Sequence, residues 1–263
     1  MRTRTSFAAL AGQAARISFA ARAAYRGDLV LSLLVTILFE AVTPLVTVFI
    51  YGRGSSFPGW SLREALLIQG IFLIARGIAF PCFFGIVWTV FEQVREGTFE
   101  LTLLKPRSPL LVVLVESFDV VGGGRFLGGA ALFLFALAGV PAPGLIHVLL
   151  FLALLALSVL TLFAFALLMA GSLFVWVGNG RVQEVMESVM VFAQYPSSLY
   201  GRTFQLVLAV ILPASMIAFL PAQALLGRPA PITLASAPAC IAFFFASLAF
   251  WRAMVRRYAG GGG

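Results

Sequence analysis

The chain has 263 residues, 61% hydrophobic and 11% charged, with a formal net charge of +8 and a mean hydropathy of +1.04. That balance excludes a soluble globular domain of this length and places the chain among membrane proteins. Two cysteines inside apolar runs and a single histidine support neither a disulfide framework nor a metal centre, so Cys82 and Cys240 are expected to be packing residues and His147 a solvated residue at the outer end of a span.

Residues 1–28 carry Arg2, Arg4, Arg16, Arg22 and Arg26 beside Phe7, Leu10, Ala14, Ile17, Ala21 and Ala24, whose three-and-four spacing makes one weakly apolar stripe. This predicts an amphipathic helix lying on the cytoplasmic leaflet. Because the basic residues are spread through the segment, with no compact apolar core, a signal peptide is disfavoured. The positive charge reads as membrane topology, and nucleic acid is not an expected partner. Residues 29–263 are expected to form a single all-α transmembrane domain.

The first span covers residues 29–51 and runs outward from the basic flank. GRGSSFPG makes the turn, Trp60 is an interfacial anchor, and Ser61 with Glu64 is a capping-box pattern that opens the next helix. Residues 65–88 return to the cytoplasm, with Pro81 and Gly85 as sites for a kink. Residues 91–109, FEQVREGTFELTLLKPRSP, are the densest cluster of charge in the chain and must lie in water. There Gly97 can close one helix, Thr98 can cap a short one over 99–105, Glu100 suits its first turn, and Pro106 stops it. From periodicity alone this is a cytoplasmic connector on the headgroups.

Residues 110–118 are apolar but lead into Glu116, Asp119 and Arg125, so they are expected in the interface, before a third span over 122–140. The glycines at 122–124, 128 and 129 permit close helix approach or form a hinge. PAPG turns outside. Residues 145–177 exceed one crossing, so the last turns should project towards Trp176 and Arg181. Apolar pieces at 182–200 and 203–226 precede a last span over 232–251. Arginines at both ends of the chain require an even number of crossings with both termini cytoplasmic. Trp88, Trp176 and Trp251 fall at the inner boundary as anchors.

The pattern E-x-x-R-E-G-T-x-E-x-x-L-L-K-P at residues 92–106 resembles the coupling segment of the ABC-2 exporter permeases. The likeness continues in FAQYPSSLYGR from Phe192, ILPASMIAFLPAQALLGR from Ile211 and WRAMVRRY from Trp251, and so covers most of the chain. Order and spacing are similar to a bacterial subgroup of small six-span permeases that work beside a separate ATPase. The resemblance implies that 98–105 docks in a groove of that ATPase. Coupling is thereby assigned to Glu92, Arg95, Glu96, Gly97, Thr98, Phe99, Glu100, Leu103, Lys105 and Pro106, with Glu96 and Glu100 as polar contacts and Phe99 and Leu103 as apolar ones. It also implies that 182–195 belongs to the fifth span, and that 196–226 holds re-entrant outer helices marked by Pro196 and broken at Pro213 and Pro221. Hydropathy alone equally allows 203–226 to cross.

No G-x-x-x-x-G-K-[ST] loop occurs, so this chain binds no nucleotide cofactor of its own and is not an enzyme; ATP and magnesium belong on the ATPase. The resemblance implies two ATPase copies, and a second permease as homodimer or heterodimer around the substrate route. The expected cargo is an amphipathic or hydrophobic drug, lipid or glycolipid, exported across the bacterial plasma membrane. The alternative is a channel or secondary transporter built on Glu40 and Arg76. Both residues lie roughly 16–18 Å below the outer surface at ~1.5 Å per residue, on adjacent spans. A lone charge at that depth is costly, so the two are expected to pair, as a clamp or as part of the substrate pathway.

Overall fold

Residues 26–118, 123–176 and 181–258 are described by the computed structural model. The interfacial helix expected over residues 1–28 lies, apart from its last residues, outside the described residues, as do Asp119 and Gly122. Long aliphatic runs form helices here because a helix satisfies every backbone N–H and C=O within its own segment.

The helices are α1 (Arg26–Gly52), α2 (Leu62–Ala79), α3 (Ile86–Arg95), α4 (Phe99–Leu103), α5 (Pro109–Glu116), α6 (Gly123–Leu137), α7 (Leu145–Ser172), α8 (Arg181–Ala193), α9 (Arg202–Leu206), α10 (Phe219–Leu225) and α11 (Thr233–Arg257), and no strand occurs among the described residues. Among the described residues, four continuous stretches are long and apolar enough to cross a membrane: Val30–Gly52, Leu62–Arg95, Leu145–Ser172 and Thr233–Arg257; Gly124–Leu137 is apolar but shorter.

The capping box at the start of α2 is formed. Ser61 Oγ accepts from Glu64 N, and Ser61 N donates to the Glu64 carboxylate. Pro81 has no N–H to give the Gly77 carbonyl, and α2 widens into a π turn over Phe80–Phe84 before continuing as α3. This is the physical form of the disturbance expected at Pro81 and Gly85.

The tightest packing is between α2 and α6, which run antiparallel. A Cβ on Gly70 would fall 2.8 Å from Phe133 N, and one on Gly129 2.7 Å from Ile74 N. Backbone lies on backbone here, and only glycine leaves the room. The register continues past α6, since Gly85 faces Ser117 and Gln93 donates to Glu116. Helix α5, within the stretch expected in the interface, packs on α3, where Val113 becomes fully buried.

Helices α7 and α11 run side by side in the same direction, with Phe165 against Phe243 and Gly171 against Phe250. Helix α7 ends at Ser172, earlier than the sequence reading placed it, in a turn through Trp176. Trp251, expected as an interfacial anchor, is instead buried against Phe174. Cys240 is buried but Cys82 is exposed, so only the first behaves as a packing residue.

Residues 196–228 form a string of short pieces, broken within the stretch 203–226 that hydropathy also allowed to cross. Both ends of the string meet the α1–α2 turn. Trp60 Nε1 donates to Ser198 Oγ at 2.9 Å, and Arg228 pairs with Glu64 at 2.6 Å. Its middle reaches well into the bundle, where Ser158 Oγ donates to the Ile217 carbonyl at 2.6 Å. Ser158 lies thirteen residues into α7, about 20 Å along it at ~1.5 Å per residue. Trp60 is thus buried, with its ring 5.6 Å from that of Phe219, rather than standing free as an anchor.

Candidate functional site

Two regions carry polar chemistry that the packing alone does not demand. The first lies midway along α1. Arg76 Nη1 stands 3.2 Å from Glu40 Oε2, as the depth argument from the sequence anticipated. Arg125, which the sequence reading left as one more charge interrupting an apolar run, donates from Nε to Glu40 Oε1 at 2.7 Å. One carboxylate from α1 thus holds guanidiniums from α2 and α6, and all three side chains are largely buried. The ring of Phe80 lies under both cations, 4.0 Å from Arg125 Cζ and 5.0 Å from Arg76 Cζ, which recovers part of the attraction lost on leaving water.

Both arginines line a cavity of about 410 Å³, walled by Phe80, Phe84 and Trp88 from the π turn and α3, and by Met190 and Val191 from α8. Trp88 is one of the wall residues and is half exposed. Arg125 could have been found from the sequence only by carrying the α2 register across a break between α5 and α6, and no periodic signal marks that break.

The second region is the charged loop. Gly97 takes φ +70°, which favours glycine because a Cβ is strained there. Gly97 N donates to Val94 O and Thr98 N to Gln93 O, and together they close α3 as a Schellman motif. Thr98 does not cap α4 as expected. Its backbone is already helical, no side-chain cap bond forms, and Oγ1 turns back to Gln93 O at 3.4 Å. Helix α4 accordingly ends at Leu103, and Pro106 lies exposed in the turn beyond it.

Phe99 was expected to be an apolar contact for a partner. It is 0% exposed, with its ring 4.7 Å from Phe174 at the end of α7 and 5.3 Å from Tyr258 at the end of α11. As the first bulky apolar residue after Gly97, it has the bundle end within reach and anchors the loop there. Burial, followed by the nearby Glu100 carboxylate, raises the Tyr258 phenol above its ordinary value.

What faces water is Glu92, Arg95, Glu96, Glu100, Leu101, Leu103, Leu104 and Lys105, with Leu101 at 62% and Leu104 at 80% exposure. Lys105 turns back to pair with Glu116, which also accepts from Gln93, while Thr102 Oγ1 donates to Gln93 Oε1 at 3.2 Å. This latch ties α4 to α3 and α5, and the sequence reading missed it.

Of the three marked prolines, Pro196 leads a single 3₁₀ turn and Pro213 breaks the chain between a π turn and a 3₁₀ turn. Pro221 breaks nothing. It sits in the first turn of α10, where its missing N–H has no helical partner to lose. Among the described residues no group of histidine, cysteine and carboxylate side chains could hold a metal ion.

A model of the family described as ABC-2 family transporter protein matches residues 37–262. No curated protein and no solved structure matches the chain.

Proposed function

The chain belongs to the ABC-2 family of transporter proteins, and from that membership we propose that it is the permease subunit of an ATP-driven exporter. Its energy comes from a separate ATPase that binds ATP and magnesium, present in two copies on a pair of permeases, either identical or related. The cargo is an amphipathic or hydrophobic molecule, moved outward across the plasma membrane of a bacterium. Residues 29–263 act as one transmembrane domain that crosses six times, with α5–α6 and α8 joining the four long apolar stretches. Both termini are cytoplasmic, residues 1–28 lie on the inner leaflet, and residues 196–228 form a re-entrant outer segment.

The observation that carries this reading is the charged loop. An exposed apolar pair, Leu101 and Leu104, stands among Glu96, Glu100 and Arg95 on a helix pinned to the bundle by one buried ring, Phe99. Leucines in water on a small, firmly held helix suit a protein groove. The ends of α7 and α11 meet at that ring, so a push on α4 reaches two long helices directly.

The test is co-purification. A tagged chain should carry an ATPase through purification, and Leu104→Glu should release it while membrane insertion is unchanged. Transport that persists without any ATPase would instead favour a channel or secondary transporter working through Glu40 and Arg76.

A further inference from the structure

We propose that the cavity between α2, α6 and α8 is a binding site for an anionic amphiphile, a molecule with one acidic headgroup on an apolar body. This names a substrate class for the permease proposed above and to that extent rests on that reading.

The argument starts from Arg125. Among the described contacts it bonds Glu40 through Nε alone, which leaves the donors on its two Nη atoms available at the cavity wall it helps to form. A guanidinium presents a planar fork that suits a carboxylate, sulfonate or phosphate. Neutralising Glu40 takes one arginine. A second at this depth, in mostly apolar surroundings, is expensive to retain, and an acidic headgroup docked on the fork gives it a use. The ring of Phe80, 4.0 Å from Arg125 Cζ, steadies the guanidinium at the wall.

Apart from the Gln194 amide, the remaining walls are apolar. Phe84, Trp88, Met190 and Val191 line the space, and methionine and aromatic side chains accept apolar bodies of varied shape. A volume of about 410 Å³ lies in the range of sites for drug-sized ligands. Phe80 and Phe84, stacked at 4.5 Å, both reach this cavity from the π turn Phe80–Phe84. Such turns interrupt regular helix bonding and concentrate at functional sites.

The experiment uses the full chain in nanodiscs of neutral phosphatidylcholine, without the ATPase, and follows the emission of 11-(dansylamino)undecanoate and of its methyl ester. The acid should bind at least tenfold more tightly than the ester. Arg125→Gln should weaken the acid tenfold or more and leave the ester unchanged, while Arg125→Lys should keep most of the affinity. Val191→Trp, which fills the cavity from α8 without touching the arginines, should exclude both probes and serves even where Arg125→Gln fails to fold. Equal binding of acid and ester, or acid binding that survives Val191→Trp, overturns the proposal.

Adding ATP, magnesium and the co-purified ATPase separates two sources of the same chemistry. Release of the bound acid on hydrolysis marks a cargo site, and retention marks a site for a resident acidic lipid. Failure of binding leaves the permease reading intact, whereas failure to find any ATPase defeats that reading and leaves the binding result standing.

Discussion

Glu40 is shared by two arginines, so the three charges of the cluster do not fail equally when removed. Glu40→Gln leaves two guanidiniums beside one Phe80 ring with no shared carboxylate, and losing the anion of a buried pair costs about 3–5 kcal/mol. Arg76→Gln or Arg125→Gln leaves the carboxylate still paired, and the hydrogen bond each loses to that charged group is worth about 1.5–3 kcal/mol. Unfolding of the three variants in nanodiscs, read by helicity, should place Glu40→Gln lowest. A double-mutant cycle should give a non-zero coupling between Glu40 and each arginine. A Glu40→Gln protein as stable as either arginine variant would mean the cluster is not held by that carboxylate. The Glu40 to Arg76 contact was legible in the sequence because one short turn joins two uninterrupted runs, so counting residues fixes relative depth. Arg125 was not, since residues 116–125 mix charge with glycine, and neither the start of α6 nor its facing could be counted.

At the scale of elements, two junctions decide whether the bundle can act on a partner. The first is the glycine contact of α2 with α6. Gly129→Ala would put a methyl group 2.7 Å from Ile74 N, and because the obstacle is backbone the helices must separate. We expect a loss of about 1–3 kcal/mol, seen as a lower thermal midpoint with insertion retained. The second junction is α4 on the bundle end. Phe99→Ala empties a fully buried ring site at a cost of about 3–5 kcal/mol, and hydrogen exchange across residues 96–107 should quicken. Leu104→Glu, on the exposed side, should leave exchange unchanged and abolish ATPase binding. If Leu104→Glu also loosens the loop, the division of α4 into anchor and docking face is wrong. The existence of α4 was readable from Gly97, Glu100 and Pro106, but its facing was not. Five residues are too few for a periodic signal, and the position of Phe99 is set by Phe174 and Tyr258, some 75 and 159 residues away in the chain. Pro221 is a similar case, since whether a proline breaks a helix or begins one depends on where the preceding turn ends.

At the scale of the whole molecule, charge and direction together define the two ends. Arg53, Arg63, Arg202 and Arg228 stand at the Trp60 end, while Arg95, Lys105, Arg107, Arg252, Arg256 and Arg257 stand at the α4 end. An excess of Lys and Arg near short loops marks the cytoplasmic side, so the α4 end should be inside. Helix α7 alone spans about 42 Å at ~1.5 Å per residue, more than a hydrocarbon core of about 30 Å. Residues 142 and 104 should therefore lie on opposite sides of the membrane. The string 196–228 tests the crossing number, because both of its ends meet the α1–α2 turn. In a background of Cys82→Ala and Cys240→Ala, we expect Ser55→Cys, Ala142→Cys, Gly201→Cys and Pro229→Cys all to react with an impermeant thiol reagent applied to intact cells. Leu104→Cys, in cells without the ATPase that would cover it, should react only after permeabilisation. All five positions are exposed, so a silent site reports its side of the membrane rather than its burial. If Gly201→Cys and Pro229→Cys label from opposite sides, the string crosses the membrane, and the six-crossing arrangement with a re-entrant outer segment must be abandoned.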